Sequence, residues 1–207
     1  MKRVWFNAKI ILTSLFVVLA VNTFAQKNND DFDPYKADIE ENIKWPTVSA
    51  KQREGVVEEM AKLEKKLSDK GYSCTRVRSG EVVLLTIPCS ELFASCDVNL
   101  KMKADDILDP LYKYIRRTAD YKVIVAVHSD DTGDAEYSDD LTAKRATAID
   151  DYYYAKNDNE DTGIIPYGLG YDEPLKPNNS FVNRELNRRV EIYFVPTKTL
   201  IENAKRK

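Results

Sequence analysis

The stretch Val123-Ile-Val-Ala-Val127, followed at once by His128-Ser-Asp-Asp-Thr-Gly133, is the segment that decides the fold of this chain. Five consecutive apolar residues bounded by polar and turn-forming residues predict a short strand that is buried on both faces. Asp130 therefore lies just past the end of a strand in the interior of a sheet.

Helices and strands alternate on both sides of this strand. Extended segments at 74–78 and 81–87, joined by a Ser79-Gly80 turn, predict a hairpin. Helical periodicity marks 104–118 and 141–156, and further strands are predicted at 164–169 and 190–194. Pro110 indicates either a kinked first helix or a helix that begins with Asp109 as its cap. The pattern predicts an α+β or α/β sandwich, with helices on one face of a mixed sheet.

The N-terminal part of the chain has the pattern of an export signal. Residues 1–25 combine a basic start, an apolar run at 10–21 and the small residues Thr23 and Ala25, which predicts a cleaved signal peptide. The apolar run is shorter than the ~20 residues that a membrane span needs. We therefore expect a soluble, periplasmic mature protein that begins at Gln26.

Two further segments precede the predicted sheet, and one follows it. Residues 26–50 are rich in Asn, Asp and Lys and are interpreted as a flexible tether. Residues 51–71 carry apolar residues at helical spacing and end at a glycine, which predicts an amphipathic helix that packs on the following domain. Residues 198–207 are interpreted as a C-terminal tail.

Charge and cysteine content exclude several kinds of site. The chain has 31 Lys plus Arg against 34 Asp plus Glu, a net charge of −3, which argues against nucleic-acid binding. Cys74, Cys89, Cys96 and the single His128 have no metal-motif spacing, so we expect neither metal nor cofactor. If one intrachain disulfide forms, we expect it to join Cys89 to Cys96. The hairpin places Cys74 opposite Leu85, four residues from Cys89 and beyond the ~7 Å limit for bridging.

Four sequence strings occur in order along the second half of the chain: Val127–Gly133, Leu141–Ala146, Gly168–Pro174 and Asn187–Ile192. Together they resemble the OmpA-like peptidoglycan-binding domain. The resemblance covers about 71–196, so the domain is assigned to 72–197, and it implies a β-α-β-α-β-β fold.

The resemblance also implies a ligand and a site. The ligand is the diaminopimelate residue of the peptidoglycan stem peptide, whose free end carries an ammonium and a carboxylate. Asp130 corresponds to the family's acid and Arg145 to its arginine, and these residue types complement such a zwitterion. Ser129, Ser138 and Arg188 complete the predicted site. Arg188 is preferred over its neighbour because alternation lets only one of the two arginines face the cleft.

The predicted function is noncovalent binding of peptidoglycan, which links the cell envelope to the wall. An outer-membrane protein is a possible partner through the N-terminal helix. The alternative is a periplasmic protein-interaction module that keeps the fold without the ligand, because Val127 and Ser138 depart from the family pattern. An enzyme is disfavoured, since no activated nucleophile stands out. Asp130 and Arg145 are expected to be exposed, so that the fold tolerates their replacement.

Overall fold

A computed structural model describes residues 45–204 of the chain, so the predicted signal peptide and most of the predicted tether lie outside the described residues. The strands are β1 (Ser73–Val77), β2 (Val82–Pro88), β3 (Tyr121–Val127), β4 (Ile164–Gly168) and β5 (Arg189–Pro196). The helices are α1 (Ala50–Ser68), α2 (Cys89–Leu92), α3 (Ala104–Ile115), α4 (Ala135–Lys156), α5 (Phe181–Asn187) and α6 (Lys198–Ala204). The predicted strands and main helices occur in the predicted order, whereas α2 and α6 were not predicted.

The strands form one mixed sheet in the order β1-β2-β5-β3-β4. The pairs β1-β2, β2-β5 and β5-β3 are antiparallel, whereas the pair β3-β4 is parallel. Val127, the last residue of β3, lies opposite both Gly168 and Val190. The loops that follow β3 and β4 and the segment that enters β5 therefore meet at one edge of the sheet.

Strand β3 is buried on both faces, as its apolar run predicts. Val123, Val125 and Val127 belong to the main core beneath the helices, whereas Ile124 and Ala126 belong to a second cluster on the opposite face. All five side chains are at most 1% exposed. The hairpin register also agrees with the prediction, because Cys74 lies opposite Leu85.

Two helices differ from the sequence-based bounds. Helix α3 runs through Pro110, so a helix start at Asp109 is wrong. The carbonyl that loses its partner at a proline belongs to the residue four positions earlier, here the exposed Asp106, where water can bind it. Helix α4 begins at Ala135 rather than Leu141, because the Asp134 side chain accepts the Tyr137 N–H at 2.8 Å and caps it.

The ends of the described chain also contribute to the core. Helix α6 lies within the segment interpreted as a tail, and its Leu200 and Ile201 are buried. Gly55 of α1 allows the close contact with this helix, since a Cβ atom there would lie 2.4 Å from the carbonyl oxygen of Ala204. Val48, within the predicted tether, is buried as well. Between residues 45 and 204, no helix is both long and apolar enough to cross a bilayer.

Candidate functional site

Asp130 lies in the loop that leaves β3, and its carboxylate is almost completely buried. Its Oδ1 atom accepts the backbone N–H of Thr132 at 2.9 Å, and its Oδ2 atom forms an ion pair with Arg188. Only 3% of the Asp130 side chain is exposed. The expectation of an exposed carboxylate is therefore wrong, because the ion pair and the turn hydrogen bond compensate for its burial.

Two hydroxyl groups connect the loop of Asp130 to helix α4. The Ser138 hydroxyl donates to the Ser129 hydroxyl at 2.9 Å, and the Ser129 hydroxyl donates to the backbone carbonyl of Asp130 at 2.9 Å. Ser138 is 1% exposed and Ser129 is 8% exposed. Both serines were predicted to be ligand-binding residues, and in this structure both hold the backbone that carries Asp130.

The loop after β4 holds the same region from the other side. The Ser129 N–H donates to the Gly170 carbonyl at 2.6 Å, and the Gly170 N–H donates to the Thr142 hydroxyl at 3.0 Å. Gly168 lets β4 approach α4 closely, since a Cβ atom there would lie only 2.2 Å from the backbone nitrogen of Ala143. The two glycines of the G-L-G string thus bring the α4 helix onto the sheet edge.

Arg145 extends from α4 to a loop that sequence reasoning left out of the site. Its Nε atom donates to the Asp97 carbonyl at 2.8 Å, and its Nη2 atom donates to the Ala94 carbonyl at 3.0 Å. The guanidinium also lies over the Phe93 ring, 5.0 Å from the centroid. Arg145 is only 5% exposed. The prediction that Arg145 is exposed is wrong, because the loop after α2 covers its guanidinium group.

The two consecutive arginines at the start of β5 have different partners. Arg188 forms ion pairs with Asp130 and with Glu185 of α5. Arg189 pairs with Glu191, with 2.7 Å between Nε and Oε1, and both of these side chains are buried. The structure thus places Arg188, and not Arg189, beside Asp130. Glu185 was missed, although its spacing of three residues from Arg188 is a known ion-pair spacing.

A buried polar network lies behind the site. The Glu191 carboxylate contacts His128 Nε2 at 3.2 Å and accepts the hydroxyl of Tyr193. Burial alone would raise the pKa of Glu191, but hydrogen bonding to His128 and the positive charge of Arg189 outweigh it and hold that pKa at about 2. The alternation of Arg189 and Glu191 along β5 was the sequence signal for this network, since these residues share a face.

The charges of three arginines act on the buried thiol of Cys89. Burial raises its pKa to about 11, and the charges of Arg145, Arg189 and Arg188 all oppose that rise. All three arginines therefore lie near enough to Cys89 for their charges to act on its thiol. The structure holds all three cysteines as thiols, so the conditional pairing of Cys89 with Cys96 stays a prediction.

Charges of opposite sign pair at the candidate site. The carboxylates of Asp130, Glu185 and Glu191 pair with the guanidinium groups of Arg188 and Arg189. Groups of both signs are the kind that a ligand with an ammonium beside a carboxylate would need. Within the described range 45–204, no group of three or more His, Cys, Asp or Glu side chains is arranged to hold a metal ion.

Comparison with known proteins gives one family and several relatives. Residues 92–188 match the model of the OmpA family. The probable lipoprotein YiaD of Escherichia coli is 28% identical over 136 residues, which cover 66% of this chain and 61% of YiaD. Another curated match, photosystem I P700 chlorophyll a apoprotein A2 of Gloeobacter violaceus, is 27% identical over 71% of this chain but only 16% of that protein. The chain thus spans less than two thirds of the length of either relative.

Solved structures share the fold over most of this chain. A putative MotB-like protein from Desulfovibrio vulgaris is 25% identical, with a TM-score of 0.60, and the match covers 70% of this chain and 99% of that structure. The cell wall anchor of the T6SS from Pseudomonas aeruginosa is 24% identical, with a TM-score of 0.55, over 67% of this chain and 97% of that structure. The predicted mixed sheet with its helices is confirmed by these neighbours.

Proposed function

We propose, because residues 92–188 match the model of the OmpA family, that this protein binds peptidoglycan noncovalently. Its ligand is the diaminopimelate end of the stem peptide, and its role is to link the cell envelope to the wall without catalysing a reaction. The observation that carries the proposal is the buried Asp130 carboxylate, which pairs with the partly exposed Arg188 where the loop after β3 meets the start of β5.

The charges of the site match the two ends of the proposed ligand. The Asp130 carboxylate is suited to the ligand ammonium, and the guanidinium groups of Arg145 and Arg188 are suited to its carboxylate. Hydrogen bonds from Ser138 through Ser129 fix the backbone of Asp130. A loop held in this way loses little freedom when the ligand binds, which favours affinity.

The proposed location is the periplasm, reached by means of the predicted signal peptide. The apolar side chains at helical spacing in α1, Val56, Met60, Leu63 and Leu67, are buried in the core, as the sequence pattern indicated. A contact between this helix and an outer-membrane protein would therefore use its outer, charged face. Lys62 and Lys65 lie on that face, where they pair with acidic residues of the same helix or its cap.

A second candidate function has one specific observation in its favour. The charged groups of Asp130 and Arg145 already have partners within the chain. A domain that had lost its ligand and kept its fold as a protein-interaction module would keep such internal contacts for stability. The two functions differ in whether Asp130 is needed for binding to the wall.

A sedimentation assay with insoluble sacculi separates these candidates. Each bond to a charged group is worth roughly 1.5–3 kcal/mol, so Asp130→Asn should weaken binding about tenfold or more. Asp131→Asn is the matched control, because Asp131 is the next residue, is 46% exposed and pairs with Arg184. Free diaminopimelate should compete with the wild type. A folded Asp130→Asn protein that sediments like the wild type would leave the interaction module as the better reading.

A further inference from the structure

Arg188 occupies the position on Asp130 that the ligand ammonium needs under the proposed function. We propose that Arg188 is a specificity-determining residue: it neutralises Asp130 in the free protein and transfers to the carboxylate of a zwitterionic ligand on binding. The inference rests on the proposed function, because it assumes that Asp130 receives the ammonium. The observation that starts it is the ion pair between Arg188 Nη1 and Asp130 Oδ2.

Each carboxylate oxygen of Asp130 already has a donor, and only 3% of its side chain is exposed. The carboxylate could accept further hydrogen bonds, but with so little of it open to solvent a ligand ammonium reaches it by taking the place of one donor. Oδ1 accepts a backbone N–H, that of Thr132, at 2.9 Å, and this donor is held by the turn. Oδ2 is paired with Arg188, whose side chain is 29% exposed while that of Asp130 is 3% exposed. Solvent therefore reaches the ion pair from the Arg188 side. Because Arg188 is a long, partly exposed side chain, it is the donor that a ligand displaces.

A second anchor keeps the displaced arginine in the site. Arg188 Nη2 pairs with Glu185 at the same time as Nη1 pairs with Asp130. A guanidinium has five N–H donors in a fixed plane, so it can hold Glu185 and still turn one edge toward a ligand carboxylate. Arg145 has no comparable freedom, because two of its nitrogens donate to the backbone carbonyls of Asp97 and Ala94.

Counting the ion pairs in each state predicts which ligands bind. A ligand with only an ammonium replaces one pair on Asp130 by another and leaves Arg188 with one acceptor fewer. A ligand with both an ammonium and a neighbouring carboxylate replaces one pair by two. A carboxylate alone meets the negative charge of Asp130. The site therefore selects an amino-acid zwitterion over a simple amine, by about tenfold or more if the extra pair has the usual value for a charged hydrogen bond.

The test is a titration of the full mature chain with two probes, in which NMR measures the binding of each. The probes are meso-diaminopimelate and 1,5-diaminopentane, which is the same chain without its carboxylates. The wild type should prefer diaminopimelate by about tenfold or more. In Arg188→Met the ratio should collapse, mainly because 1,5-diaminopentane now binds an unoccupied Asp130. A ratio in folded Arg188→Met equal to that of the wild type would overturn the proposal.

Arg184→Met is the matched control. Arg184 lies four residues before Arg188, on α5, and forms a similar pair, 3.1 Å from its Nε to Oδ1 of Asp131, with 39% of its side chain exposed. Its removal should leave the ratio unchanged. An equal collapse in this control would overturn the assignment to Arg188, because it would show a general effect of local positive charge.

A further variant tests the proposal if Arg188→Met does not fold. Glu185→Gln keeps Arg188 but weakens its second anchor, so Arg188 should hold Asp130 more firmly and both probes should lose affinity. Unchanged binding of both probes by Glu185→Gln would contradict the exchange.

Asp130→Asn separates failure of this inference from failure of the proposed function. If that change abolishes binding while Arg188→Met keeps the wild-type ratio, only the exchange is refuted. If Asp130→Asn binds both probes like the wild type, the proposed function is refuted as well.

Discussion

Replacing Arg145 by methionine should destabilise the domain strongly, although the sequence predicted an exposed Arg145 whose replacement the fold tolerates. The change keeps an unbranched, flexible side chain but removes the charged donor. Two hydrogen bonds to the Asp97 and Ala94 carbonyls, at 2.8 and 3.0 Å, are lost, together with the contact of the guanidinium with the Phe93 ring. Arg145 is 5% exposed, so water cannot readily replace these contacts.

The size of the effect follows from these contacts. A hydrogen bond to a charged group contributes roughly 1.5–3 kcal/mol, and a buried carbonyl left without a donor costs about 1–3 kcal/mol. The two lost bonds alone give about 3–6 kcal/mol. Because the costs for neighbouring groups do not add fully, we expect a total of about 3–5 kcal/mol. For a domain of this size each kcal/mol lowers Tm by roughly 2–4 °C. Arg145→Met should therefore melt about 6–20 °C below the wild type.

The measurement is thermal and urea unfolding followed by circular dichroism. Lys144→Met is the control, because Lys144 is the preceding residue of the same helix, is 54% exposed and pairs only with Asp140 across one turn. Such a surface pair is worth about 0.5 kcal/mol, so this control should melt within about 2 °C of the wild type. If Arg145→Met melted like Lys144→Met, the loop contacts would contribute nothing, and Arg145 would be a freely available ligand-binding side chain.

Three further predictions concern stability. Gly168→Ala should cost at least about 1–3 kcal/mol in urea unfolding, because the new Cβ would lie 2.2 Å from the Ala143 nitrogen and force α4 outward; an unchanged midpoint would contradict this packing. The pKa of Glu191 is lowered to about 2, so its ionised form should stabilise the fold above about pH 4.5, and this contribution to the free energy of unfolding should be lost as the pH falls toward 2. Glu191→Gln should therefore reduce the dependence of stability on pH between about 4.5 and 2. Asp150 has its pKa raised to about 6 by burial and then by the charges of two nearby aspartates, so its effect has the opposite sign: stability should fall as the pH rises from about 4 through 6, and Asp150→Asn should be more stable than the wild type at pH 7. Equal pH dependence of Asp150→Asn and the wild type would refute that assignment.

The sequence predicted the strands correctly where the spacing of apolar residues matches the side chains that the fold buries. The five apolar residues of β3 and the hairpin register depend on short-range alternation, which the sequence displays directly. The start of α4 was placed too late because its first turns are mostly polar and the predicted helix began at the first large aliphatic residue, Leu141. Asp134, a good N-cap residue, was the available signal.

The candidate site was harder to predict, because its geometry depends on contacts between distant parts of the chain. Arg145 bonds to carbonyls 48 and 51 residues away, and no local pattern announces that a loop will cover it. The pairing of Asp130 with Arg188 joins residues 58 positions apart. Sequence motifs predicted the residue types of the candidate site, but the burial of each charge depends on the tertiary arrangement.

Burial changes how the recognition chemistry of this site must be understood. An isolated carboxylate as buried as Asp130 would be costly, and the partner that makes it tolerable is Arg188. A ligand that binds there replaces an existing ion pair rather than filling an empty charged cleft. Its binding free energy is therefore the difference between the pairs it forms and the pair it breaks. For such a site, the ligand's second charge decides the outcome, because the first charge only repeats what Arg188 already does.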